Sequence, residues 1–226
     1  MSADTISNAW RELRLTINEV YASLQGESTW AGLPCAFVRT TACDLRCTYC
    51  DTEYAFYEGT KRTAGEIFDE VMALDLPLVE ITGGEPLLHK AVRPLMQALC
   101  EAGRTVLIET SGAHSIANID ARVHRIVDLK TPGSGECARN LMENIPLLTT
   151  RDEVKFVLCS REDYEWARGI LQEYRLDERT GAVLFSVAFG RVNPADAAAW
   201  ILEDRLPARF QLQMHKFIWP AAARGV

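Results

Sequence analysis

The sequence contains no run of about 18 apolar residues, the length that a membrane-spanning helix requires. Its start, Met1 to Glu12, is polar and mixed, without the basic start and apolar run of an export signal. No membrane association is expected, and the location that follows is cytoplasmic. Basic residues are also short: 24 Lys and Arg face 31 Asp and Glu, a formal charge of −7. That balance leaves no basic stripe for a polyanion, so nucleic acid is excluded as the main partner and a small molecule is expected. Internal repeats and linkers are missing too, and the 226 residues read as one domain, 1–226, long enough to bury a core. Nor do the cysteines suggest disulfides: seven is an odd number in a chain without an export signal, which favours free thiols.

Three of those seven fall within eight residues, at Cys43, Cys47 and Cys50. Thiolates spaced C-x-x-x-C-x-x-C on one loop can wrap a cubane and give three sulfurs to three irons, leaving the fourth iron open. An open coordination position is where a metal site does chemistry, and iron–sulfur clusters with S-adenosylmethionine (SAM) are a source of radicals. The alternative is a noncatalytic zinc module. Zinc closes four ligands, usually as two pairs, and no second C-x-x-C or H-x-x-x-H follows. Cys35, Cys100 and Cys159 read as small buried hydrophobes.

Around this loop the apolar periodicity alternates between strand and helix. Strands are expected at Leu13 to Asn18, Ala36 to Thr41, Leu78 to Thr82, Thr105 to Glu109, Arg125 to Lys130, Val154 to Cys159, Val183 to Val187 and Phe210 to His215. Helices should open at the Thr63-Ala64-Gly65-Glu66 capping box, near Val92 with Pro94 inside, at Asn140 to Leu148, after Ser160, and at Asn193-Pro194. A full crossover helix is doubtful between the strands ending at Glu109 and starting at Arg125. The rhythm implies a parallel sheet with its site at the carboxyl ends of the strands. A closed eight-fold barrel needs about 250 residues, so the expected α/β fold is a shortened, laterally open partial TIM-type barrel of about six parallel strands. The first strand, the C-terminal tail or a second subunit should cover its open side.

Gly83-Gly84-Glu85-Pro86 ends one of these strands. Exposed glycine backbone and a carboxylate there can accept hydrogen bonds from the ammonium of a bound methionine moiety. With Cys43, Cys47 and Cys50, and Tyr49 before the last cysteine, this turn resembles the radical SAM superfamily. More specifically, the chain resembles the 7-carboxy-7-deazaguanine synthase family from Asn18-Glu19 to its last residue; residues 1–17 lie outside the resemblance. The match is carried by Leu24-Gln25-Gly26-Glu27, Phe37-Val38-Arg39, Cys50-Asp51-Thr52, Thr82-Gly83-Gly84-Glu85-Pro86, Glu109-Thr110-Ser111-Gly112, Asp128-Leu129-Lys130 and His215-Lys216.

The resemblance implies conversion of 6-carboxy-5,6,7,8-tetrahydropterin to 7-carboxy-7-deazaguanine with loss of ammonia, using a 4Fe-4S cluster, SAM and Mg²⁺. Cys43, Cys47 and Cys50 would hold the cluster and Thr52 the Mg²⁺. SAM would meet Tyr49, Asp51, Gly84, Glu85, Ser111, Asp128, Leu129, Lys130 and Ser186. The pterin would meet Leu24, Gln25, Gly26, Glu27, Arg39, Thr82, His215 and the terminal carboxylate of Val226. An electron donor such as flavodoxin or ferredoxin and a homodimer are implied as well. Two departures stand out: Ser28 occupies a position that is usually Gly, and Ser186-Val187-Ala188-Phe189 replaces a usual Gln-Pro pair. A radical SAM activase that acts on a glycine of a partner protein shares the cysteine loop and the Gly-Gly-Glu-Pro turn, but would not need Leu24 to Glu27, Arg39 and Thr52 together.

Overall fold

A computed structural model describes residues 8–220 and 223–226; the expectations that fall on residues 1–7 and on 221–222 of the tail lie outside them. The described residues form one nine-stranded sheet in the order β3-β1-β2-β4-β5-β6-β7-β8-β9. Its strands are β1 (Arg14–Leu24), β2 (Pro34–Thr40), β3 (Thr60–Thr63), β4 (Leu78–Gly83), β5 (Thr105–Thr110), β6 (His124–Asp128), β7 (Glu153–Leu158), β8 (Ala182–Val187) and β9 (Arg209–Phe210). From β2 onward, apart from β3, neighbouring strands pair in parallel. At the other edge β1 pairs antiparallel with both β2 and β3. The six full parallel strands are the partial barrel expected; β9 adds two residues.

The helices are α1 (Ala64–Ala73), α2 (Val92–Glu101), α3 (Arg161–Tyr174), α4 (Leu176–Arg179), α5 (Pro194–Glu203) and α6 (His215–Ile218). Thr63 caps α1 as read: its hydroxyl accepts from Glu66 N at 3.2 Å, and the Glu66 carboxylate accepts from Thr63 N at 2.7 Å. Ser160 and Asn193 cap α3 and α5 through their side chains, each cap being worth about 1 kcal/mol. Pro94 falls in the first turn of α2, where no intrahelical amide bond is lost.

Alternation along the strands separates two interiors. Val38, Val79, Ile81, Val106, Ile108, Val154, Phe156 and Phe185 face outward and pack under Ile67, Val71, Leu95, Leu99, Ala167 and Leu171 of the helices. On the concave face Cys35, Phe37, Leu78, Leu107 and Ile126 make a smaller apolar floor with Tyr21 and Trp30. Towards the carboxyl ends that face turns polar, with Arg39, Glu80, Glu109, Asp128, Lys155 and Ser186 lining the cavity above the floor.

The open side is crossed by a strap, residues 25–33, between β1 and β2. Thr29 hydrogen-bonds Glu153 of β7, and Ser28 N donates to Gln211 Oε1 at 2.8 Å, just past β9. The C-terminal tail adds a second cover, with Ala223 to Val226 on the cavity.

Several expected elements differ. The segment expected as a helix from Asn140 to Leu148 is a 3₁₀ turn, Met142–Leu147, because Pro146 has no amide hydrogen to give an α-helix. The last strand stops at Phe210, not His215, because the backbone turns away to the strap, where Met214 N donates to Gly26 O at 2.9 Å, and a helix opens at His215. The expected strand at Leu13 to Asn18 runs on to Leu24. Cys35 is buried as read, whereas Cys100 and Cys159 are only partly covered.

Candidate active site

The cysteine loop leaves β2 at Thr41 and is pinned from three sides. Ala42 N donates to Ala55 O at 2.9 Å, Thr48 N to Ser134 O at 2.9 Å, and Glu85 N reaches back to Ala42 O at 2.7 Å. Leu45, 1% exposed, plugs the loop into the core, so the thiols are presented from a fixed backbone. Gly84 is required where it stands: a β-carbon there would lie 2.1 Å from the Ala42 carbonyl oxygen.

Cys43, Cys47 and Cys50 are free and half-covered, and all three line a cavity of about 460 Å³ at the carboxyl ends of the strands. Burial pushes the Cys47 thiol up to about 11, while the Lys130 ammonium pulls the other way. Metal coordination takes up such thiols as thiolates. Two buried polar atoms beside them lack partners among the described residues, the Tyr49 hydroxyl and Asp128 Oδ1. A buried acceptor and a buried hydroxyl left open beside three thiols fit a cluster with a polar ligand over it.

On the strap side, Glu27 is gripped by Lys155 Nζ at 3.0 Å and by Gln213 Nε2 at 3.0 Å. Against the upward push of burial, these contacts hold its carboxyl below the usual range. Gln25 donates to Glu80, and its Oε1 accepts from Glu27 N at 2.9 Å, so one buried side chain holds the Glu80 carboxylate and the Glu27 backbone. Arg39 donates to Glu19 Oε1 at 2.7 Å and to Tyr21 OH at 2.8 Å. Burial also works against Asp51, yet Lys216 Nζ at 2.6 Å keeps it strongly ionised. Thr52 Oγ1 donates to the same carboxylate at 3.0 Å. His215 is held below the usual histidine range by burial, opposed by Glu27 and Asp51.

The cavity gathers nearly all the expected residues: Tyr49, Asp51, Gly84, Ser111, Asp128, Lys130 and Ser186 of those expected for SAM, Leu24 to Glu27, Arg39, Thr82, His215 and Val226 of those expected for the pterin, and Thr52. Glu85 and Leu129 stand outside its lining. The Glu85 carboxylate is fully buried behind the wall, where Thr110 Oγ1, Ser111 N, Ser111 Oγ and Leu87 N donate to it, so it shapes the turn. Leu129 belongs to the outer apolar core. The sequence reading missed Lys155, 5% exposed, which bonds Glu27 and Glu109 and lies 3.8 Å from Asp128. A lone lysine inside the apolar run Val154 to Leu158 was the available signal, since a central parallel strand buries it.

A family model described as the radical SAM superfamily matches residues 37–175. The 7-carboxy-7-deazaguanine synthase of Koribacter versatilis is 47% identical over 226 residues, covering 94% of this chain and 100% of that one. That of Chlorobaculum tepidum is 44% identical, covering 95% and 99%. Among solved structures, QueE from Escherichia coli superposes with a TM-score of 0.74 at 22% identity, covering 89% of this chain and 95% of that chain, a likeness of fold. With the cysteine loop, the Gly-Gly-Glu-Pro turn and the strap assembled on one partial barrel, the chain belongs to the radical SAM superfamily and, within it, to the 7-carboxy-7-deazaguanine synthase family.

Proposed function

We propose that this chain converts 6-carboxy-5,6,7,8-tetrahydropterin to 7-carboxy-7-deazaguanine with loss of ammonia, as a radical SAM lyase of queuosine and 7-deazapurine biosynthesis. The observation that carries this reading is that the three cysteines and the Leu24-to-Glu27 strap with Arg39 line one cavity. A glycyl-radical activase accounts for the cysteines and the Gly-Gly-Glu-Pro turn, and a zinc module for the cysteines alone; neither needs Leu24 to Glu27 with Arg39. When bound, the cluster and SAM supply a carbon-centred radical that abstracts hydrogen.

The protein's own part is positioning and electrostatics. Cys43, Cys47 and Cys50 hold the cluster; Asp128 and Lys130, paired at 2.8 Å, present one acceptor and one donor to SAM beside Tyr49. Arg39, stiffened by Glu19 and Tyr21, offers its guanidinium to the substrate carboxylate. Glu27 accepts from the pterin amino group, and His215 and the Val226 carboxylate close the same side. Strap and tail exclude water from the radical.

Thr52 is the proposed Mg²⁺ ligand; it supplies one hard oxygen, and substrate and water complete the octahedron. The assignment rests on the family resemblance and on the place of Thr52 in the cavity wall. On the same resemblance the chain acts as one domain and as a homodimer, and takes electrons from a flavodoxin or ferredoxin. No helix among the described residues is long and apolar enough to cross a membrane, and a cytoplasmic location is part of the proposal. Anaerobic incubation with the carboxytetrahydropterin, SAM and a reductant, read by mass spectrometry, should yield the deazaguanine acid. Cleavage of SAM with the pterin returned unchanged overturns the reading.

A further inference from the structure

Glu109 stands at the carboxyl end of β5. Its Oε1 accepts from Lys155 Nζ, and among the described residues no hydrogen bond reaches its Oε2. The side chain is 25% exposed and lines the cavity. Lys155 Nζ also holds Glu27 Oε2 at 3.0 Å, so one ammonium carries two carboxylates, one from the strap and one from β5. Four carboxylates, Glu27, Glu80, Glu109 and Asp128, enter this part of the cavity against the Lys130 and Lys155 ammonium groups and the Arg39 guanidinium, which Glu19 already holds. Acceptors are in excess, and an incoming ligand rich in N–H donors would balance them. Burial, with Glu27 and Asp128 beside it, pushes the Glu109 carboxyl up while Lys155 opposes, as expected of an acceptor short of donors.

One ligand class meets this excess. A carboxylate accepts two parallel N–H groups in its plane, whereas a pterin presents its ring amide N–H and both hydrogens of its exocyclic amine along one edge, one donor more than Glu27 can take. We propose that Glu109, oriented by Lys155, is a second acceptor for this edge and selects the 2-amino ring over its 2-oxo counterpart. The inference rests on the pterin reading and names a specificity residue within it. A site built to receive an N–H rejects an analogue lacking it, because the buried acceptor is then left unpaired.

The test uses the reconstituted protein with SAM bound, titrated anaerobically with 6-carboxypterin and with 6-carboxylumazine, which carries oxygen in place of the amine, by ring fluorescence. Wild type should prefer the pterin by about a hundredfold or more. Glu109→Gln should weaken pterin binding about tenfold or more. It should also narrow the preference, because the new amide can donate to the lumazine oxygen. SAM affinity and iron content should stay unchanged. Glu109→Asp keeps the charge and should keep the preference, and it serves if Glu109→Gln does not fold. An undiminished preference in Glu109→Gln overturns the assignment, as does a loss confined to SAM. Wild-type protein that binds neither ring overturns the pterin reading and this inference with it.

Discussion

Gly26 and His215 stand so close that a β-carbon on Gly26 would lie 2.5 Å from the histidine Nδ1. Met214 N donates to Gly26 O at 2.9 Å alongside, so the strap and α6 are locked face to face across the mouth of the cavity. Gly26→Ala must push the His215 ring outward, and forcing an added methyl into a packed contact costs about 1–3 kcal/mol. A lower melting temperature and weaker pterin binding, with full iron content, are expected. Unchanged values for both would show that the contact yields freely.

Ala42, next to the first cysteine, has φ of 76°, in the left-handed region. That conformation costs a non-glycine residue about 1–2 kcal/mol, so Ala42→Gly should raise stability after the loss of chain entropy is subtracted. Gly84→Ala should do the reverse and lower iron uptake, since it drives a carbon into the Ala42 carbonyl. Calorimetry and iron analysis after reconstitution check both. Equal melting temperatures for the two variants would contradict the strain argument.

Only three thiols are assigned to the cluster. Cys43→Ala, Cys47→Ala and Cys50→Ala should each abolish SAM cleavage, while Cys35→Ala, Cys100→Ala and Cys159→Ala leave it intact. Cys35, fully buried in the apolar floor, should lose stability without losing iron. A folded Cys100→Ala protein without SAM cleavage would overturn the assignment.

Glu80 gives a pH prediction. Burial pushes its carboxyl well above the usual range, and Glu109 and Glu27 push the same way. A carboxyl raised in the folded state binds its proton more tightly folded than unfolded, so stability falls as pH rises from the ordinary glutamate range towards the folded value. Glu80→Gln removes that loss and keeps an acceptor for Gln25. Denaturant midpoints for the variant should therefore rise relative to wild type between pH 5 and pH 8. Parallel profiles would refute the shift.

The tail lies against the cavity, on the side proposed for the pterin. Arg224 sits 3.9 Å over the Tyr54 ring and pairs with Glu58 at 2.8 Å, with Val226 next to the cavity. Extending the chain past Val226 should displace its carboxylate, and losing a hydrogen-bonding group that faces a polar substrate costs about 1–3 kcal/mol. A C-terminal His-tag should raise KM for the pterin by about tenfold or more while SAM affinity holds. An N-terminal tag should be harmless. Equal kinetics for the two tagged proteins would mean that the tail only covers the core.

What could be read from the residues follows from how local the cause was. The capping box at Thr63, the short apolar runs of β4 and β5, and the cysteine spacing are set by neighbours in sequence, and all appear where expected. β3 was invisible because Thr60 to Thr63 is polar on both faces, as an edge strand is, and gains its place only by pairing with β1. Glu85 reads as a pocket residue until Thr110 and Ser111, from another strand, are seen to consume its carboxylate. Lys155 and Glu109 acquire meaning only from each other, 46 positions apart.

The strap also orders events in the making of the protein. Glu27 meets Lys155 across 128 positions, Thr29 meets Glu153 across 124, and Ser28 meets Gln211 across 183. The strap leaves the ribosome early, yet it stays without partners until Glu153 and Lys155 are translated and is not fully tied until Gln211 follows. Completion of the last strand is thus the step that finishes the anchorage of the strap. Stalled ribosome complexes ending before Arg209 should leave the strap, residues 25–33, open to proteolysis, in contrast to the released chain.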